Sequence, residues 1–168
     1  MREKIRTILN CPSLDYFYSE EFVDREKLQN KIDEKLREGK CSYSLSHSKV
    51  LGGAAFAADG MQIGFDLEQT NRVHPEVALR VSDPDQLRKA PTPAALFVSK
   101  EAAFKSLRGP RQPLILSEVE ILEWKTHHFS SPLYNFTARL KGQEIQWFGV
   151  CFEDGENTVG LSVFPHLS

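Results

Sequence analysis

The sequence has no long hydrophobic run, little sulfur and no large excess of charge of either sign. Its most apolar stretch, Leu51 to Ala58, is rich in glycine and alanine and too short to span a bilayer. Met1-Arg2-Glu3-Lys4 leads into no apolar signal core. Cys11, Cys41 and Cys151 are odd in number and far apart, which argues against a disulfide framework and against a metal site built on closely spaced thiolates. A net charge of -2 removes any overall attraction to nucleic acid or to an anionic membrane surface. The expectation is a cytoplasmic protein in a reducing compartment, with neither nucleic acid nor membrane as partner.

What is present suits one α+β domain. The chain has 168 residues, 40% hydrophobic and 26% charged, enough for one core or for two small lobes sharing one. Ile5, Ile8 and Leu9 predict a short helix stopped by Cys11-Pro12, and the aromatic stretch Tyr16, Phe17, Tyr18 and Phe22 reads as irregular chain packed on the body. Leu28, Ile32 and Leu36 recur at helical spacing before Gly39. Residues 1–40 are therefore expected to form a helical N-terminal part, and residues 41–168 an α+β lobe.

From Cys41 the period becomes two, with Tyr43 and Leu45 alternating into Ser46-His47-Ser48. Val50 to Ala57 reads as the next strand, and Asp59-Gly60 as a hairpin turn into Ile63-Gly64-Phe65-Asp66-Leu67-Glu68. Pro75 opens a helix that Ser82-Asp83-Pro84-Asp85 breaks. The clearest helix runs over 92–108, with Thr92 as cap, Pro93 at its first turn and Gly109-Pro110 at its end. Strands follow around Val119/Ile121, Tyr134 to Leu140, Ile145 to Phe152 and Val159 to Val163. The expected architecture is an antiparallel sheet packed against one long helix.

Three carboxylates stand out. Asp66 and Glu68 share a face because side chains alternate along a strand, and Glu101 lies on the long helix with Lys105 one turn on. Taken alone, an acidic pair at a strand end is usually a solvated turn, and Glu101 would pair with Lys105 or Lys100. Phe97, Glu101 and Phe104 fall on one helical face, which reads as a core-facing stripe. Oxygen donors from a strand and a helix can also hold a hard cation. His47 reads as a hydrogen-bonded loop residue, and His127-His128 as an exposed turn without ligand spacing.

The order of the motifs adds a resemblance. Ser-Leu-Ser-His-Ser, then Ile-Gly-Phe-Asp-Leu-Glu with Arg72 after it, then Phe-Val-Ser-Lys-Glu-Ala-Ala-Phe-Lys, is similar to the 4′-phosphopantetheinyl transferase superfamily across residues 41–109. The resemblance implies Mg²⁺-dependent transfer of the phosphopantetheine arm of coenzyme A to a serine of an apo acyl or peptidyl carrier protein, releasing 3′,5′-ADP. It implies metal ligands at Asp66, Glu68 and Glu101. Glu101 would also serve as general base, Lys105 and Lys100 as phosphate contacts, and the Ser46-His47 segment as the coenzyme site, with His47 at the 3′-phosphate. Arg72, Arg80, Arg88, Lys89, Arg108 and Arg111 could form a basic surface for an acidic carrier helix.

The chain departs from the family pattern in having Phe97 for the usual tryptophan, Phe65 for a branched aliphatic residue, and no acidic marker in 82–90. Only about forty residues precede the Ser-His segment, fewer than in the two-lobed, surfactin-type branch. The short holo-[acyl-carrier-protein] synthase branch begins differently again. A second subunit is therefore expected to complete the site. The alternatives are a non-catalytic coenzyme A or carrier-binding paralogue and an unrelated metal-dependent phosphate-ester hydrolase.

Overall fold

The computed structural model describes residues 1–39, 41–107, 112–128 and 131–164. Strands β1 (Asp15–Ser19), β2 (Cys41–His47) and β3 (Gly52–Ala58) form one antiparallel sheet in the order β1-β3-β2. The second sheet, also antiparallel, holds β4 (Gln62–Gln69), β5 (Val119–His127), β6 (Leu133–Leu140), β7 (Gln146–Asp154) and β8 (Asn157–Phe164) in the order β4-β8-β7-β6-β5. Helices α1 (Arg2–Ile8) and α2 (Arg25–Arg37) lie in the first forty residues. Between β4 and β5 come α3 (Pro75–Ala78), α4 (Pro84–Lys89) and α5 (Pro93–Ser106). The fold is α+β with antiparallel sheets, as expected. It is not one sheet with one long helix: the described residues form two sheets, and α2 has 13 residues against 14 for α5.

The aromatic stretch is a strand rather than irregular chain, so residues 1–40 are not purely helical. β1 pairs with β3 from Asp15 opposite Phe56 to Ser19 opposite Gly52. Its apolar groups serve both faces: Tyr16 packs against Phe152, while Phe17 meets Phe22 and Phe56. A strand buried on both sides shows no alternation of apolar and polar residues.

Asp59-Gly60 is a turn but not a hairpin. Gly60 has φ +86° and Met61 N–H donates to the Ala58 carbonyl at 3.1 Å, as a tight turn requires. β3, however, has β1 on one edge and β2 on the other, so β4 leaves the sheet and pairs with β8. The sheets meet where β2 lies beside β4. There Phe65 N–H donates to Ser44 Oγ at 3.0 Å, and Ser46 Oγ donates to Asp66 Oδ1 at 2.7 Å. Ser44 and Ser46 of β2 are therefore buried, and Leu45 is exposed.

The main core lies behind β4. Ile63, Phe65 and Leu67 join Tyr16, Ala55, Val150, Phe152 and Leu161, each fully or nearly fully buried. Burying a side chain of this size contributes about 1.5–3 kcal/mol. The Ser82-Asp83-Pro84-Asp85 segment does more than break a helix: Asp83 caps α4 by accepting from Gln86 N–H at 2.8 Å, and Pro84 fills the first turn.

Helix α5 starts as the sequence predicts, with Thr92 Oγ1 accepting from Ala95 N–H at 3.0 Å. It ends at Ser106, and Gly109-Pro110 lies outside the described residues. Its core face is Ala95, Val98, Ala102 and Ser106; Phe97, Glu101 and Phe104 form a half-buried outer stripe instead. The reason is how closely the helix sits. A Cβ on Gly64 would lie 1.8 Å from the Ala102 carbonyl oxygen, and one on Gly160 would lie 2.6 Å from that of Val98. Only small side chains fit beneath a helix held that close.

Candidate functional site

The close seat of α5 is what builds the site. Gly64, Asp66 and Glu68 share the face of β4 that looks at the helix, and Asp66 sits opposite Gly160 of β8. Glu101 and Lys105, one turn apart, come down on the same side. Asp66 is 4% exposed. Its Oδ1 accepts from Ser46 Oγ and from Lys105 Nζ, both at 2.7 Å. Its Oδ2 is buried and has no hydrogen-bond partner among the described residues.

The other two acids sense this carboxylate. Burial raises the Glu101 carboxyl above its usual range, the Asp66 charge raises it further, Lys105 opposes, and Glu68 adds a smaller push. Glu68 is raised by burial and then by Asp66, against Arg72 and Lys105. Strand and helix thus bring Asp66, Glu68, Glu101 and Lys105 into one electrostatic unit.

Their donors are all oxygens, which suits a hard cation, and an orphaned buried carboxylate oxygen such as Asp66 Oδ2 is a natural ligand for one. As the side chains stand, no three His, Cys, Asp or Glu among the described residues converge closely enough to hold an ion. The ammonium of Lys105 takes the cationic role at Asp66 instead. The donor set fits a divalent ion in chemistry, and Lys105 is the side chain that must yield for it.

A groove of about 350 Å³ opens beside Glu68. His47, Lys49 and Arg72 give it a basic edge, and Val73, Val77 and Phe97 an apolar wall. His47 forms the partition to a second cavity of about 330 Å³, lined by Arg25, Leu28, Gln29, Ile32 and Leu45. The His47 ring is fixed there, donating from Nε2 to the Val23 carbonyl at 2.7 Å.

Several sequence expectations shift. Ser46 is buried and serves Asp66 rather than facing the groove. Lys105 pairs with Asp66, so the expected pairing of Glu101 with Lys105 or Lys100 is not the ion pair that forms. Lys100 stands apart from the acids altogether. It is fully buried on the opposite flank of α5, its Nζ donates to Gln86 Oε1 at 3.4 Å, and burial lowers its pKa to about 8. His127 ends β5 and bonds Asn135 Oδ1 at 2.7 Å rather than lying in a turn. Of the basic residues, Arg72 reaches the groove, Arg88 pairs with Asp85 on the surface, and Arg108 and Arg111 lie outside the described residues.

Lys49, Val73 and Val77 were not read as site residues. Lys49 follows Ser46-His47-Ser48 directly, and that adjacency was the available signal. The two valines carry none, because only the fold brings them beside Phe97. No protein-family model and no curated protein matches the chain.

Proposed function

We propose that the chain transfers the 4′-phosphopantetheine arm of coenzyme A to a serine of an apo acyl or peptidyl carrier protein, with Mg²⁺, releasing 3′,5′-ADP. The observation that carries this reading is the electrostatic unit of Asp66, Glu68, Glu101 and Lys105 beside a groove with a basic edge. The ordered resemblance of the Ser46-His47, Asp66-x-Glu68 and Lys100-Glu101 segments to the phosphopantetheinyl transferases supports it.

In this reading Asp66, Glu68 and Glu101 would hold the magnesium, which when bound screens the charge of the pyrophosphate oxygens. His47, Lys49 and Arg72 bind and orient phosphate groups along the groove edge. Val73, Val77 and Phe97 exclude water from the wall opposite. Ser46 keeps Asp66 oriented. Glu101, its carboxyl pKa raised by burial and by the Asp66 charge, accepts the proton of the carrier serine. The serine oxygen forms a bond to the phosphorus that bears the pantetheine, and the bond from that phosphorus to the 3′,5′-ADP oxygen breaks. A second copy of the chain would wall the groove beyond His47. Light scattering that finds an active monomer would overturn that part.

The alternative is a non-catalytic binder of coenzyme A or of carriers, favoured by the existing neutralisation of Asp66 by Lys105. One incubation separates the two. With coenzyme A, Mg²⁺ and several apo carriers, a transferase adds the phosphopantetheine mass to the carrier in intact-mass spectra. A binder retains coenzyme A and leaves every carrier unchanged.

A further inference from the structure

We infer that Lys105 is an internal competitor at Asp66, so that the site takes a divalent cation together with a phosphate-bearing ligand and takes the bare ion poorly. This rests on the reading above and adds the order in which the site fills. Two donors, Ser46 Oγ and Lys105 Nζ, converge on one oxygen of Asp66, each at 2.7 Å, and leave the buried Oδ2 without a partner among the described residues. The carboxylate is therefore aimed and half satisfied, with one oxygen kept for something further.

A bare divalent ion approaching that oxygen meets a carboxylate already neutralised by an ammonium. Two cations around one carboxylate repel each other, and the partly buried setting strengthens the repulsion. Lys105 makes its one ion pair among the described residues with Asp66, while its charge also acts on Glu101 and Glu68. A ligand with phosphate oxygens changes this: it offers the ammonium a second acceptor, so Lys105 stays paired while Asp66 is released to the ion. Ser46, uncharged, can remain on Oδ1 throughout and hold the carboxylate in place. The ion and the phosphate ligand then help each other bind, by the same factor in each direction.

Mn²⁺, followed by the paramagnetic signal of the free ion, tests this. The titration is made with the protein alone and with coenzyme A present, against protein-free blanks that account for ion held by the coenzyme. For the wild type the expected result is weak binding of Mn²⁺ alone and an affinity about tenfold or more higher with coenzyme A, matched by an equal gain of coenzyme A affinity from Mn²⁺. In Lys105→Met the bare ion should bind about tenfold more tightly and most of the mutual enhancement should vanish. Lys105→Arg keeps the charge and should keep the wild-type order, which separates competition from a general loss of structure. The inference is overturned if the wild type binds the bare ion as tightly as it does with coenzyme A. It is equally overturned if Lys105→Met leaves bare-ion affinity unchanged. Absence of protein-dependent Mn²⁺ binding with coenzyme A in all three proteins would instead overturn the transferase reading, and the inference with it.

Discussion

A polar network surrounds a buried charged side chain on each flank of helix α5, Lys100 on one and Asp66 on the other, and the two differ in how far their bonds are satisfied. On one flank both ends of the Gln86 amide are engaged. Its Oε1 accepts from Ile121 N–H at 3.0 Å and Lys100 Nζ at 3.4 Å, its Nε2 donates to Asp83 Oδ2 at 2.9 Å, and Asp83 Oδ1 caps the helix that carries Gln86. On the other flank three carboxylates share Lys105, and Asp66 Oδ2 is left over. A buried polar network that closes on itself fixes the position of its elements. One left open, with excess charge beside a groove, is arranged for a ligand. On the proposed reading, the same helix has a structural flank and a functional one.

Gly64→Ala should break both flanks at once. The new Cβ would lie 1.8 Å from the Ala102 carbonyl oxygen, so α5 must lift, and the stability lost should be about 3 kcal/mol or more by denaturant unfolding. Asp66→Asn should act on the functional flank alone. It keeps the shape and removes the charge, so carrier modification should fall on the order of a thousandfold while thermal unfolding changes little. Unaltered initial rates in this variant would erase the distinction between the flanks.

Gln86→Ala should act on the structural flank alone. It strands Lys100 and the Ile121 N–H, costing about 2–3 kcal/mol of stability, and leaves transfer per folded molecule intact.

The smallest effect is one of pH, and its sign differs between flanks. Glu101 and Glu68 have folded pKa values above the usual carboxylate range, so in that window the folded chain holds more protons and stability falls as pH rises. Lys100 is lowered to about 8 from the ordinary 10.5, so between those values the unfolded chain holds more protons and stability rises with pH. Unfolding measured without divalent ions should show both slopes. Glu101→Gln should flatten the acidic one and Lys100→Met the alkaline one.

Much of this was legible in the sequence where a local rule acts. Thr92 and Pro93 fix the start of α5, Leu28, Ile32 and Leu36 mark α2, and alternation puts Asp66 and Glu68 on one face. Long-range choices were not legible. Nothing near Asp59-Gly60 says that both edges of β3 are already taken, and nothing near Tyr16 says that β1 has apolar neighbours on both faces. The resemblance implies Lys100 as a phosphate contact beside Glu101, but one helical step turns a side chain by about 100°, enough to send it to the other flank. Glu101 itself was placed on a core stripe because Phe97 and Phe104 flank it. The tight seat at Gly64 and Gly160 gives that face to Ala95, Val98, Ala102 and Ser106 instead.

The most direct test sets neighbouring residues of α5 against each other. Glu101→Gln and Lys100→Met are incubated separately with coenzyme A, Mg²⁺ and an apo carrier that the wild type modifies, and the carrier is weighed by intact-mass spectrometry. An unmodified carrier is expected with Glu101→Gln and a fully modified one with Lys100→Met. Modification by Glu101→Gln at the wild-type rate, or its loss with Lys100→Met in a folded protein, would contradict the division of α5 into two flanks.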